Sequence, residues 1–437
     1  MACVTGGGSI HYADQPLEST IVNWDSLVIS MKRISQADRR LLILFAIVFV
    51  NFLGAGMVMP VLPLYAGHAF GAGPEAIALL LTSFYAAQFI AAPFLGRTSD
   101  RLGRRPVLIG SQIGTVASFA LMALASSMGG LFVARIIDGI TGGNIIVAQA
   151  YITDVTPREK RTQGLGVIFA AFGLGHIFGP AFGGLLSAAF GAHVTFFAAA
   201  LVSTLTVVLT WWLLPESLTA ERRAERSARV SKMRVQDITG NAPLLIILFI
   251  GFCAQFSIAV LQSTLPLFGE AVLFAEQPAS MQSLGVGLLL TSIGVGQLVT
   301  QLFLLRPLVK RYGERRLVVI GAFFRGIGML TIVVFSSAFL VGSVSMVMVA
   351  VASGLMMPSL QSLATTNTAE EISGGVLGIY NSSTTLGLIF GTALGGVLFA
   401  AGPRYPYILA GCVLLFTVLP ALTLQRRLRP QAVAAAT

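Results

Sequence analysis

Residues 164–186 read GLGVIFAAFGLGHIFGPAFGGLL, and residues 376–398 read VLGIYNSSTTLGLIFGTALGGVL. Gly166, Gly175, Gly179, Gly183 and Gly184 of the first stretch recur in register as Gly378, Gly387, Gly391, Gly395 and Gly396 of the second. Neither stretch carries a Lys, Arg, Asp or Glu, and each is long enough to cross a hydrocarbon core of roughly 30 Å as a helix. At about 100° per residue, Gly175, Gly179 and Gly183 form a stripe on one face, while Gly166, Gly173 and Gly184 share another. Two faces thinned in this way let two neighbouring helices approach closely. A ladder written twice marks a membrane protein built from two similar halves.

The rest of the chain agrees. Of 437 residues, 55% are hydrophobic and 11% charged, against about 25% charged in an ordinary soluble domain. Apolar runs of spanning length lie near 41–66, 77–96, 106–127, 130–153, 164–187, 193–214, 243–268, 284–305, 316–336, 339–362, 374–400 and 405–425. The expectation is an all-α polytopic protein with twelve transmembrane helices in two pseudo-symmetric six-helix bundles. Residues 38–214 and 243–425 form the bundles, 215–242 a charged linker, and 1–37 and 426–437 polar tails, the first of them disordered. Further pairs support the duplication: Leu62-Pro63-Leu64-Tyr65 resembles Leu265-Pro266-Leu267-Phe268, Gly142 and Gln149 match Gly354 and Gln361, and Gly103 matches Gly313.

The net charge of +10 sits in the tails, the linker and the loops after runs 2, 4 and 8. The loops after the odd-numbered runs hold a single Lys or Arg, Arg404. The positive-inside rule then places both termini and the linker in the cytoplasm, in an inner membrane, and accounts for the basic charge without a nucleic-acid partner. Cys3, Cys253 and Cys412 have neither the number nor the spacing of a disulfide framework or metal site. Residues 1–37 lack the apolar core and cleavage site of a signal peptide, and Met31 is an alternative start. No G-x-x-x-x-G-K-[ST] loop points to ATP, and no catalytic or metal-ligand cluster points to an enzyme or a cofactor.

Between runs 2 and 3 lies GRTSDRLGRRPVLIG, with Gly96, Asp100, Arg101, Gly103, Arg104 and Arg105 at the spacing G-x-x-x-D-R-x-G-R-R. A glycine and basic residues here make a two-residue turn back into the membrane. The loop resembles the signature of the major facilitator superfamily, and with the twelve runs the resemblance covers nearly the whole chain. It implies that Asp100 and Arg104 latch the two halves on the cytoplasmic side and release when the cavity opens inward. The plainer reading is that the arginines only fix topology. The second copy, RPLVKRYGERR, has Lys310 at the position of Asp100 and Glu314 at that of Arg104, so a matching latch is not expected there.

Ionisable residues inside hydrocarbon are costly and mark function by default. Arg135 and Asp138, three apart on one face of run 4, have the spacing of an ion pair. Such a pair exchanges a proton when a cationic substrate competes for the carboxylate; alternatively it is self-neutralised and inert. His176 lies in the ladder, where packing is the commoner role of a histidine. Arg325 lies in the middle of run 9 without an acidic neighbour in sequence, facing a cavity, a carbonyl or a headgroup.

The spacing of Gly166, Gly175, Gly179, Pro180, Gly183 and Gly184 resembles the antiporter motif of drug:proton exchangers in this superfamily. Its mechanical sense is a helix that bends at Pro180 and seals against a neighbour, although the second copy shares its glycines. LLPESL (213–218), GAGMVMPVLP (54–63) and RIIDGITGGN (135–144) look like the twelve-span tetracycline exporters. These typically carry an aspartate in the first span where Asn51 stands here, which leaves Asp138 as the substitute carboxylate.

Tyr85, Gln88, Asn144, Gln149, Gln255, Gln262, Gln297, Gln301, Gln361, Tyr380 and Asn381 line a cavity between the halves or glue helices together. The expected activity is proton-coupled export of a small amphipathic compound by a monomer in the bilayer. Alternatives are a carrier of a metabolite such as a sugar or organic acid, with Arg135 and Arg325 binding an anion, and a receptor or scaffold that kept the fold.

Overall fold

The computed structural model describes residues 36–142, 144–156, 161–218, 240–335, 337–366 and 373–427. The expected disordered tail up to residue 35, the linker from 219 to 239, the last tail from 428 and the side chains of Gly166 and Asn144 lie outside the described residues.

Among the described residues, twelve helices are long and apolar enough to cross a membrane. They are numbered spans 1 to 12 in chain order: Arg40–Phe70, Pro74–Leu102, Arg104–Leu124, Met128–Val155, Ala170–Phe190, Ala192–Leu213, Ala242–Leu273, Ala279–Tyr312, Glu314–Val334, Val341–Ala364, Gly375–Ala401 and Tyr405–Gln425. Helices are forced here because each backbone polar group in lipid must be satisfied within its own segment. Span 8 outruns its apolar stretch of 284–305 at both ends, since the helix continues once polar side chains reach the headgroups.

The turn between spans 2 and 3 is tighter than its sequence suggested. Span 2 ends at Leu102 and span 3 begins at Arg104, so one residue, Gly103 at φ 110°, reverses the chain. Gly313, at φ 76°, makes the same turn between spans 8 and 9. A residue with a Cβ is strained at such angles.

The two glycine stripes pack as the repeat requires. A Cβ on Gly179 would lie 2.6 Å from Gly56 Cα, and Gly175 and Gly183 face Phe52 and Met57 of the same span 1. In the second half Gly387, Gly391 and Gly395 meet Phe252, Phe256 and Ser263 of span 7. On the other face Gly184 meets Gly287 of span 8, and Gly396 meets Ala78 and Pro74 of span 2. The two halves therefore join along two seams, spans 5 and 8 and spans 2 and 11.

These seams are shut at one end. Gly173 shares a helix face with Gly184, and Gly378 shares one with Gly396, yet neither Gly173 nor Gly378 would find an atom within 4 Å of a Cβ. The apolar cores divide in the same way. On the side away from the basic loops, called here the far side, one cluster runs from Met57, Leu62 and Phe119 into Phe256, Leu265 and Ile293 of the other half. On the basic-loop side each half keeps its own cluster, around Leu44, Val107 and Ile152 in one and Leu244, Val318 and Leu363 in the other. The molecule is closed on its far side.

Candidate functional site

Span 4 carries the interior charges. Its helix is assigned as Met128–Thr141 and Asn144–Val155, and Gln88 of span 2 donates to the Gly142 carbonyl at 2.9 Å. On the first of these segments, Arg135 Nη1 donates to Asp138 Oδ2 at 2.8 Å. Phe84 of span 2 caps the guanidinium with its ring centroid 4.1 Å from Cζ, a geometry worth about 2 kcal/mol when desolvated. Gly139 makes room, since a Cβ there would run into the backbone of Phe84. Tyr85 and Ser118 stand beside the pair, and both ions are buried. Arg135 Nε has no partner. One carboxylate and one guanidinium so enclosed can exchange a proton or a competing cation without other charges.

The remaining interior candidates do not join this pair in one cluster. Asn51 is buried in span 1 and carries an interaction of its own. His176 is packed between aromatic rings, 4.2 Å from the Phe172 centroid and 5.7 Å from that of Phe52. Arg325 lies in the other half, bound to the Ala254 carbonyl of span 7. Tyr380 is buried where span 11 packs on Gly251, so it serves helix packing. Gln149, Gln255, Gln262, Gln297, Gln301, Gln361 and Asn381 are half-buried.

The signature loop forms a second charged centre. Arg104 Nη2 donates to Asp100 Oδ1 at 2.6 Å, and its Nε to Asp154 Oδ2, at the end of span 4, at 3.1 Å. Its Nη1 also donates to Ser99. Glu216, in the LPESL stretch after span 6, accepts from the backbone N–H of Arg104 at 3.0 Å and of Arg105 at 3.2 Å. A carboxylate there satisfies orphan donors of span 3 and meets the positive end of its dipole. Arg105 reaches back to the Trp211 carbonyl. Spans 2, 3, 4 and 6 are thus pinned together within one half. Sequence reasoning missed Asp154 and Glu216, although Glu216 stands in the quoted LLPESL stretch, because nothing in their spacing ties them to residue 104.

The far-side seam was also not foreseen. His68 Nε2 and Glu270 Oε1 are 2.6 Å apart across the halves. The hydroxyls of Thr82 and Thr392 are 2.8 Å apart, and Thr291 donates to the Ile177 carbonyl at 3.1 Å. Pro180 faces the seam of spans 5 and 8, where a Cβ on Gly287 would lie 2.6 Å from its carbonyl oxygen. Thr392 holds the equivalent place on the other seam.

The Major Facilitator Superfamily model matches residues 44–275 and 268–436. The chain is 31% identical over 401 residues to the class C tetracycline resistance protein of Escherichia coli, covering 89% of this chain and 97% of that one. It is 29% identical over 388 residues to multidrug resistance protein 2 of Bacillus subtilis (strain 168), covering 88% and 94%. Among solved structures, the human organic anion transporter MFSD10 has a TM-score of 0.65 at 22% identity, covering 89% of this chain and all of that one. A peptide transporter, POT, with alafosfalin bound has a TM-score of 0.73 at 14% identity, covering 89% and 94%. The likeness thus extends from sequence to fold over almost the whole length, and the chain belongs to the Major Facilitator Superfamily of membrane transporters.

Proposed function

We propose that this transporter exports small amphipathic compounds in exchange for protons, rocking its two halves about a site between them, and that Asp138 is the coupling carboxylate. The observation that carries this reading is the enclosed Arg135–Asp138 pair at 2.8 Å. A proton on Asp138 cancels its charge and loosens its hold on Arg135, and a cationic substrate competes for the same carboxylate. Proton and substrate then exclude one another at one group, which is the requirement of exchange. Asn51, uncharged, offers no second carboxylate at the position where tetracycline exporters carry one. The names of the relatives, tetracycline and multidrug resistance proteins, support the substrate class.

The far-side closure corresponds in this reading to the inward-facing end of the cycle, with the basic loops, the linker and both termini in the cytoplasm of an inner membrane and the chain acting as a monomer. In it Arg104 is held by Asp100 and Asp154 of its own half. Opening of the far side swings the loop toward the other half, where Asp100 and Arg104 are the candidates for the latch.

Asp138→Asn in proteoliposomes tests the coupling. Proton-driven efflux is expected to fall steeply and its pH profile to flatten, because an ionisable group inside the membrane is the proton carrier in this reading. Efflux with an unchanged rate and pH profile would remove Asp138 from the mechanism.

A further inference from the structure

Arg325 lies in the middle of span 9 with 0% of its surface exposed. Nη2 donates to the Ala254 carbonyl at 2.8 Å, while Nε and Nη1 meet no acceptor. No carboxylate pairs with it among the described residues. On span 7, one turn from Ala254 and on the same helix face, Ser257 is also fully buried and its hydroxyl is unpartnered.

The internal repeat accounts for the missing counter-charge. Matching Gly103 to Gly313 puts Arg325 at the position of Thr115. Matching Pro63 to Pro266 puts Ala254 at that of Asn51, and matching Gly142 to Gly354 puts Ala350 at that of Asp138. The half that owns the buried carboxylate has a threonine where the other has its cation. The half that owns this cation has an alanine where the carboxylate stands. An arginine in a low-dielectric interior is strongly unfavourable without an anion, and the described residues of this half supply none.

We propose that Arg325, with Ser257, forms a binding site for a small monoanion, either an inorganic halide or a carboxylate borne by another molecule. The free guanidinium nitrogens carry N–H donors and the free hydroxyl can donate, so the ligand is an acceptor. Water answers the hydrogen bonds but leaves the charge unbalanced, whereas a monoanion answers both. Complete burial limits the ligand to a small ion or the tip of a larger one. Whichever Nη2 hydrogen meets the Ala254 carbonyl, the other lies beside a free N–H, of Nε on one edge or of Nη1 on the other. That planar pair suits a two-pronged acceptor or a single spherical ion between the prongs.

Binding can be read without transport, so the outcome is independent of proton coupling at Asp138. Purified protein in detergent is melted against chloride, bromide and acetate at an ionic strength held constant with sulfate, a dianion outside the proposed ligand class. The wild type is expected to gain Tm saturably with the anion that fits, Arg325→Gln to lose that dependence, and Ser257→Ala to need several-fold more anion. Asp138→Asn is expected to keep it. A response to the halides but not acetate identifies an inorganic ion, and a response to acetate identifies a carboxylate. Where Arg325→Gln does not fold, Arg325→Lys, which keeps charge but loses the fork, is expected to raise the half-saturating concentration about tenfold. A wild-type Tm indifferent to all three anions, a response retained in Arg325→Gln, or a half-saturation unchanged in Arg325→Lys overturns the proposal.

Discussion

His68, near the end of span 1, and Glu270, near the end of span 7, meet at 2.6 Å and tie the two halves together at the far-side mouth. Both side chains are substantially exposed, 46% and 33%, so water and salt screen the pair. Glu270→Gln is expected to weaken far-side closure by about 0.2–1 kcal/mol, a change of about 1.4- to 5-fold in the ratio of closed to open molecules. Spin labels at Glu75 and Gln277, exposed on opposite halves, would report the two populations. An unaltered distance distribution would show that the pair does not hold the gate.

The glycine ladder predicts a contrast within one helix. Gly179→Ala forces a Cβ to within 2.6 Å of Gly56 Cα, and backbone cannot yield as a flexible side chain can. The expected loss is about 1–3 kcal/mol. Gly173→Ala meets nothing within 4 Å in this state and gains up to about 1 kcal/mol of helix preference. Melting of the two purified variants should therefore move in opposite directions, and equal destabilisation would contradict the open seam.

Arg104 distinguishes its two carboxylates by burial. Asp154 is 1% exposed at its side chain and Asp100 38%. Removing the buried partner leaves an under-compensated cation, so Asp154→Asn is expected to cost about 3–5 kcal/mol. Asp100→Asn should cost about 0–1 kcal/mol, the range of an exposed pair. Urea or thermal unfolding in detergent would rank them, and a larger loss for Asp100→Asn would reverse the assignment of Asp154 as the structural anchor.

The hydroxyls along the seams offer a milder test. Thr392→Val removes the 2.8 Å bond to Thr82 while conserving shape. Interhelical bonds of this kind average about 0.6 kcal/mol in membranes, so the ratio of far-closed to open molecules should fall about threefold by the same spin-label measurement. A population unmoved by the loss would assign the seam to packing alone.

The spans and the repeat were legible in the chain because hydrocarbon leaves the backbone no choice but helix, and because apolar length and basic loops are local signals. The glycine stripes were legible too, since helical geometry fixes which residues share a face. The Arg135–Asp138 contact followed from spacing within a single helix. Partners fixed by the packing of separate helices were not legible. Asp154 and Glu216 reach Arg104 only after spans 2, 3, 4 and 6 assemble, and Glu270 reaches His68 only when the halves close. For Tyr380 the sequence left open a cavity role and a packing role, and its burial against Gly251 was not legible because polarity does not reveal which way a residue faces in a bundle. The sequence determined a twice-written twelve-span membrane protein, since lipid acts on each segment alone. Only the tertiary structure decided which end of the seams is shut and which charges lack a partner, since both depend on how separate helices meet.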